Sequence, residues 1–390
     1  MLYVKNLAEN DGWGRLLPNH EAGTRGGFGD QFLSRFQRIY LETGRKISRL
    51  RLQGERLRVY QMLPRLFSNT NERRKANGTL TENGVGKFEE INDAALAALR
   101  EMGFTHLWLT GLFRQATATD YSQLGLPADD PDLLKGLAGS PYAIKDYFDL
   151  CPDYAVSPQE RFPEFQSLLA RMRANGLRAI IDFVPNHVAR SYSSTLEPEL
   201  SFGAHDRPES FFDPQNNFYY LPGQALELPT WKEGVPISPT CKVLGTCDGK
   251  FERERETARV TGNNVATPTP SLCNWYETVK LNYGFDFISR RRAYPHGPDS
   301  LEPIPDTWLK MDRVIAYWQS MGVDGFRADM AHMVPPEFWA WAIGRARDRH
   351  SDVLFFAEAY NNDPMKVPGG NPLLAALDES HGDVEVLAPS

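Results

Sequence analysis

Residues 306–332 read DTWLKMDRVIAYWQSMGVDGFRADMAH. Asp306 to Met321 has the composition and spacing of a helix, and Gly322 punctuates it. Val323 to Met330 then reads as a short strand carrying an acid, Asp329, near its end. The same helix–glycine–strand unit recurs upstream. Phe88 to Met102 is followed by Gly103 and the strand Thr105 to Thr110 (THLWLT). Phe162 to Asn175 is followed by Gly176, in a C-cap position, and the strand Leu177 to Phe183. Downstream, Pro336 to His350 precedes the strand Val353 to Ala359, and Leu57 to Leu63 (LRVYQML) supplies a first strand. Helices alternating with near-continuous apolar strands predict a parallel sheet with helices outside it.

The expected fold class is α/β, a (β/α)8 TIM barrel of which about five of eight βα units are legible. The residues after Glu358 are too few for three further units at roughly 30 residues each, so the chain reads as the front part of a barrel truncated after its fifth strand. The organisation expected is a lead-in at 1–56, with Phe32, Phe36, Ile39 and Tyr40 at helical spacing, and barrel at 57–187. An inserted domain at 188–304, after the third strand, and continued barrel at 305–390 complete it. The insertion is rich in Pro, Asn, Gly and aromatic residues, which for so long a connection signals an ordered functional segment.

The chain has 390 residues, 43 Lys and Arg, 50 Asp and Glu, and a formal net charge of −7. That balance argues against a nucleic-acid partner, since phosphate binding needs a surplus of basic charge on one face. The most basic stretch, Arg45 to Arg58, is interrupted by Glu55 and reads as solvated surface. No run approaches the ~18 apolar residues of a membrane span, and residues 1–20 lack the apolar stretch of a secretory leader. A membrane partner is therefore not expected, and a cytoplasmic location is favoured with the compartment otherwise open. The cysteines, at 151, 241, 247 and 273, fit no zinc spacing. Free thiols are expected, with a Cys241–Cys247 bridge the alternative in an exported protein.

Acids stand at the ends of three strands: Asp182 in RAIIDFVPNH, Asp329 in DGFRADMAH and Glu358 in VLFFAEAY. Each alone fits a cap or a solvated loop acid. Three at strand ends beside buried apolar runs are costly to keep, which points to function. Arg327 and Asp329 lie two apart on a strand and share a face. The guanidinium is expected to hold Asp329 ionised, as a nucleophile requires, while the apolar run before Glu358 is expected to raise its pKa, as a general acid requires. One low and one high carboxylate is the pairing used on acetal bonds.

DFVPNH (182–187), GFRADMAH (325–332) and FAEAY (356–360) resemble three signature regions of glycoside hydrolase family 13, the α-amylase family. SPYAIKDYF (140–148) and VKLNY (279–283) resemble two further regions, and all occur in the family's order. The resemblance implies retaining hydrolysis of α-glucosidic bonds in starch-like α-glucans or maltooligosaccharides. An α-glucan transglycosidase, or a non-catalytic carbohydrate-binding remnant, is the alternative. It implies Asp329 as nucleophile, Glu358 as acid and base, and Arg327 as the residue that orients and ionises Asp329. Tyr142 and His187 would contact the sugar whose bond breaks, Asp182 would support the site, and His332 stands where the family often has a lysine gripping acceptor-side sugars. The partner implied is an α-glucan or oligosaccharide substrate.

No cofactor is required by that reading. Calcium is possible, with Asn186 as a ligand in members that hold one. With no dense acidic loop in 188–304 and Met333 in place of the signature histidine, no tight calcium site is expected. The family's third acid has no good counterpart, His381-Gly382-Asp383 lying too close to Glu358, so the chain alone is expected to be inactive. Phe211, Phe212, Phe218, Tyr219, Tyr220, Trp231, Trp275 and Tyr276 of the insertion read mostly as its own packing rather than as a sugar-stacking wall.

Overall fold

The elements that carry the fold run β1 (Val59–Met62), α1 (Asp93–Glu101), β2 (His106–Leu109), β3 (Phe113–Gln115), β4 (Ile144–Leu150), α2 (Arg161–Ala174), β5 (Arg178–Phe183), β6 (His187–Ala189), β7 (Thr278–Lys280), α3 (Asp306–Met321), β8 (Gly325–Ala328), α4 (Pro336–Arg349) and β9 (Leu354–Ala357). They come from a computed structural model that describes residues 57–297 and 299–358. The lead-in read over 1–56 and the His381-Gly382-Asp383 stretch lie outside the described residues. No described helix is long and apolar enough to cross a membrane.

β1, β2, β5, β8 and β9 form one sheet in that order, every neighbouring pair parallel. Five sequence-read strands thus become five adjacent strands of a barrel-type wall, with the helices as crossovers. The central strands β2 and β8 are buried along their whole length, whereas β9, at one edge among the described residues, is half-buried. Where the boundaries moved, local chemistry moved them. α1 begins five residues later than the apolar pattern indicates, because the Asn92 side chain accepts the Ala95 N–H at 3.0 Å and caps the helix there. Phe88 still enters the core, from the turn before it. α3 ends at Gly322, whose φ of +95° lies in the region that side-chain-bearing residues rarely adopt.

The helices bury aromatics against the sheet. Trp318 of α3 packs against Phe113 at 5.3 Å and Phe165 at 6.0 Å between ring centres. Its indole N–H donates to the Tyr147 carbonyl at 2.7 Å, so the polar edge of this buried ring is satisfied.

The insertion lies between β5 and α3. β6 and β7 pair antiparallel, with Lys280 opposite His187, so it begins at His187, one residue before the boundary read from sequence. A buried ion cluster holds its interior: Glu254 accepts from Arg190 and Arg259, and Arg190 Nε donates to the Tyr276 carbonyl at 2.7 Å. Of the aromatics read as packing, Phe218, Tyr219, Tyr220 and Tyr276 are buried and Phe211, Phe212, Trp231 and Trp275 half-buried; Trp275 meets the His187 ring at 5.1 Å. One expectation fails. Cys241 and Cys247 are joined as a disulfide with Cα atoms 5.5 Å apart, because a short helix at Pro239–Leu244 ends in left-handed Gly245 and turns the chain back. Cys151 and Cys273 remain free.

Trp318→Ala removes a full ring from the junction of α2, α3 and β3 and strands the Tyr147 carbonyl. It should lower unfolding free energy by about 3–5 kcal/mol, read from urea denaturation. A loss below ~1 kcal/mol would mean that this ring is not central to the core.

Candidate active site

The strand register decides where the acids meet. Asp182 of β5 lies directly opposite Arg327 of β8, which in turn lies opposite Phe356 of β9. Residues opposite one another in parallel strands face the same way, so Asp182 and Arg327 share a face, and Asp329 and Glu358 follow just beyond it. The ladder continues past the strands: Asp329 N donates to Phe183 O at 2.8 Å and Glu358 N to Ala328 O at 2.9 Å. Both acids are thereby fixed at the carboxyl ends of neighbouring strands.

Arg327 binds all three carboxylates. Its Nη1 donates to Asp329 Oδ1 at 2.8 Å and to Asp182 Oδ1 at 3.2 Å, and its Nη2 lies 2.8 Å from Glu358 Oε2. Two rings flank the guanidinium, Trp108 at 5.1 Å and Tyr142 at 5.7 Å. Asp182 also accepts from Trp108 Nε1 at 3.2 Å and from Gly111 N at 2.9 Å. Gly111 is required here: its φ is +70°, and a Cβ would stand 2.6 Å from Pro141, the residue that carries Tyr142 in.

Arg327 and Asp329 are each 6% exposed and Asp182 2%. Burial therefore dominates their titration. It pushes Asp182 up to about 6, against the Arg327 charge and the donors around it. Asp329 is raised well above the carboxylate range by burial, with Glu358 and Asp182 adding to the rise and Arg327 opposing it. This corrects the expectation that Arg327 would hold Asp329 low: one guanidinium is divided among three acids. Glu358, held on the same guanidinium, adds to the rise of Asp329 by its charge and by a hydrogen bond.

Tyr142 is half-buried over this cluster, while His187 is buried behind it and donates to the Tyr142 carbonyl. Burial first, then the Lys280 charge, lowers His187 to about 3, so the ring is neutral. Asn186 Nδ2 lies 3.0 Å from His187 Nδ1 and donates to Gly262 O at 2.9 Å. Asn186 Oδ1 accepts from Lys280 Nζ, which also donates to Met333 O at 3.0 Å. His332 bonds the Glu358 backbone, and burial lowers it to about 4. Met330, in the left-handed region at φ 44°, turns the chain after Asp329 and donates its N–H to Glu358 Oε2 at 3.1 Å.

The sequence reading thus placed Asp182, Arg327, Asp329, Glu358 and Tyr142 in one cluster, with His187, Asn186 and His332 in the layer behind. It missed Trp108, Gly111, Lys280 and the Met330 turn. Only Gly111, a glycine immediately after an apolar strand, carried a local signal.

The family model for the α-amylase catalytic domain matches residues 61–233, which hold Tyr142, Asp182, Asn186 and His187. Among curated relatives, Maltase 1 of Drosophila virilis is 24% identical over 270 residues, covering 69% of this chain and 30% of that protein. An alpha-1,4-glucan:maltose-1-phosphate maltosyltransferase of Myxococcus xanthus is 42% identical over 53 residues, covering 14% of this chain and 8% of that protein. The chain therefore spans less than a third of the length of either relative. Among solved structures, an alpha-amylase from Lactobacillus plantarum aligns with a TM-score of 0.41 at 20% identity, covering 77% of this chain and 44% of that one. A cyclic alpha-maltosyl-(1-->6)-maltose hydrolase from Arthrobacter globiformis aligns at 0.42 and 17%, covering 80% and 53%.

The raised Asp329 carboxyl makes a pH prediction. Its folded pKa lies above the ~3.9 of an unfolded aspartate, so the folded state binds more protons between those values and loses stability as pH rises through that window. Asp329→Asn removes the ionisation. Its stability relative to the native protein, from urea midpoints, should be greater at pH 7 than at pH 4.5. A difference that is flat or reversed with pH would show that Asp329 is not held protonated by its surroundings.

Proposed function

We propose, from the match of residues 61–233 to the α-amylase catalytic-domain model, that the protein cleaves α-glucosidic bonds of maltooligosaccharides or starch-like α-glucans with retention. The observation that carries this is the placing of Asp329 and Glu358 at the ends of neighbouring strands, each 2.8 Å from the Arg327 guanidinium. Two acids on neighbouring strand ends, gathered on one cation, suit the closely placed pair of the double-displacement route better than the wider gap that direct attack by water needs.

In this route Glu358 gives its proton to the leaving glycosidic oxygen while Asp329 attacks the anomeric carbon. The C–O bond to the leaving group breaks, and an Asp329–glycosyl ester forms. Water, deprotonated by Glu358, then attacks the ester; the sugar is released and Asp329 returns as a carboxylate. The reaction needs one proton on the pair, positioned on Glu358. Arg327 keeps Asp329 oriented for attack, and the neutral His187 and the half-buried Tyr142 ring bind the reacting sugar. The relatives named a maltase and a maltosyltransferase support an α-glucosyl or maltosyl substrate, and a sugar hydroxyl in place of water in the second step gives transfer.

The test is trapping with 5-fluoro-α-D-glucosyl fluoride followed by peptide mass analysis. The label should fall on the peptide containing Asp329 and be absent from Asp329→Asn. Glu358→Gln should reduce kcat on maltooligosaccharides by ~10³-fold or more, with a smaller loss on an aryl α-glucoside whose leaving group needs no proton. A label on another residue would move the nucleophile. No label with unchanged maltooligosaccharide binding would leave a carbohydrate-binding protein. Adding maltose as acceptor and comparing released glucose with longer oligosaccharides separates hydrolysis from transfer.

A further inference from the structure

We propose that Lys280 is the resident cation of this site: its amine stands where the family resemblance implies a calcium ion, and it positions Asn186 and through it His187. The proposal deepens the α-glucan reading and rests on it for the role of His187.

Lys280 is 3% exposed, and among the described residues no carboxylate pairs with it. A buried amine with no counter-ion is expensive, so its retention needs a reason. Its partners are an amide oxygen and a backbone carbonyl, Asn186 Oδ1 and Met333 O, at 3.0 Å for the second. These come from two barrel loops, one after β5 and one after β8, while Lys280 itself lies on β7 of the insertion. One amine thus ties three segments together, the task a metal ion performs when oxygen ligands converge. Those oxygens are the atoms a calcium ion would need: the side chain of Asn186 and the carbonyl at the position of the missing signature histidine. With the amine on both, a divalent cation would meet an occupied site and a like charge. Calcium also wants six to eight oxygens, usually with carboxylates among them. The residues present do not fit it, so the calcium reading of Asn186 gives way to a lysine contact.

The amine also fixes the histidine. Because Asn186 Oδ1 faces Lys280, its Nδ2 must face His187 and Gly262 O. His187 Nδ1 then accepts, and the ring proton stays on Nε2. Gly262 permits the close approach: a Cβ there would lie 2.3 Å from Thr278 Oγ1 and 3.0 Å from His187 Cβ. Without the amine, Asn186 has no reason to keep this orientation, and the His187 tautomer is released. Lys280 is therefore a positioning residue, acting on the sugar only through Asn186 and His187.

The test uses the full chain with ¹⁵N-labelled histidine. In the native protein the His187 ring, assigned with His187→Gln, should be the Nε2–H tautomer, and the melting temperature should be the same in excess calcium and in chelator. Lys280→Met keeps the bulk without the donors, and should give a mixed His187 tautomer and maltoheptaose binding weaker by tenfold or more in calorimetry. If that variant does not fold, Lys280→Ala refolded with n-butylammonium replaces it, and should recover the single tautomer only with the amine present. A calcium-dependent rise in native melting temperature, or an unchanged tautomer in the folded variant, would overturn the proposal. Native protein that binds no maltoheptaose would overturn the α-glucan reading instead, while the tautomer and calcium measurements still decide the role of Lys280.

Discussion

One buried guanidinium holds the site together. Arg327 reaches Asp182, Asp329 and Glu358, which come from the ends of three adjacent strands. Removing it would leave three carboxylates in a nearly dry space, a far larger cost than any single contact it makes. The arrangement exists only if β5, β8 and β9 are neighbours in that order and in that register, since a shift of one residue would turn Arg327 to the opposite face. The parallel sheet is thus a requirement of the charge cluster as much as a consequence of the apolar strands. Trp108 and Tyr142 complete the enclosure by presenting ring faces to the cation instead of further charges.

The insertion depends on this node without touching it. β6 leaves the sheet three residues after β5 and is gripped at once by β7, so His187 is held between barrel and insertion. Arg190, three residues further, is buried completely and is neutralised by Glu254, which also takes Arg259. Such a cluster is weak evidence for stability but strong evidence for a fixed arrangement, because breaking either pair strands a buried charge. The rigidity passes back through Gly262 and Asn186 to the imidazole. An irregular segment with few hydrogen-bonded strands can therefore place a side chain as firmly as a barrel strand does.

Much of this was legible because it is periodic or local. Helix α3 runs from Asp306 to Met321 as its composition indicates, and the strand acids lie where their apolar runs stop. The α1 start was not legible from hydrophobicity, since Asn92 set it by a hydrogen bond. Trp108 reads as one more apolar strand residue, and only the register with β5 turns its indole N–H toward Asp182. Lys280 was hidden for the opposite reason: a lysine in sequence reads as solvated, and its burial follows from pairings between segments far apart in the chain. The missing leader favours free thiols, but the left-handed Gly245 turns the chain and brings Cys241 and Cys247 into a bridge, a local geometry that compartment says nothing about. Asp329 was misjudged because a pair rule was applied where one cation serves several anions.

That last miss bears on the proposed reaction. With one guanidinium for three acids, two of them buried, the cluster is short of positive charge, and Asp329 is raised in consequence. A glycosyl transition state develops positive charge at the anomeric carbon, within reach of the same carboxylates. In the proposed reaction the site is then better matched to the transition state than to the neutral substrate. Interactions that strengthen only as charge develops raise kcat, whereas a fully neutralised aspartate would have had nothing left to gain. The raised Asp329 is on this view part of the catalytic design: burial denies it solvent, Arg327 denies it disorder, and the missing charge is supplied by the substrate at the moment the bond breaks.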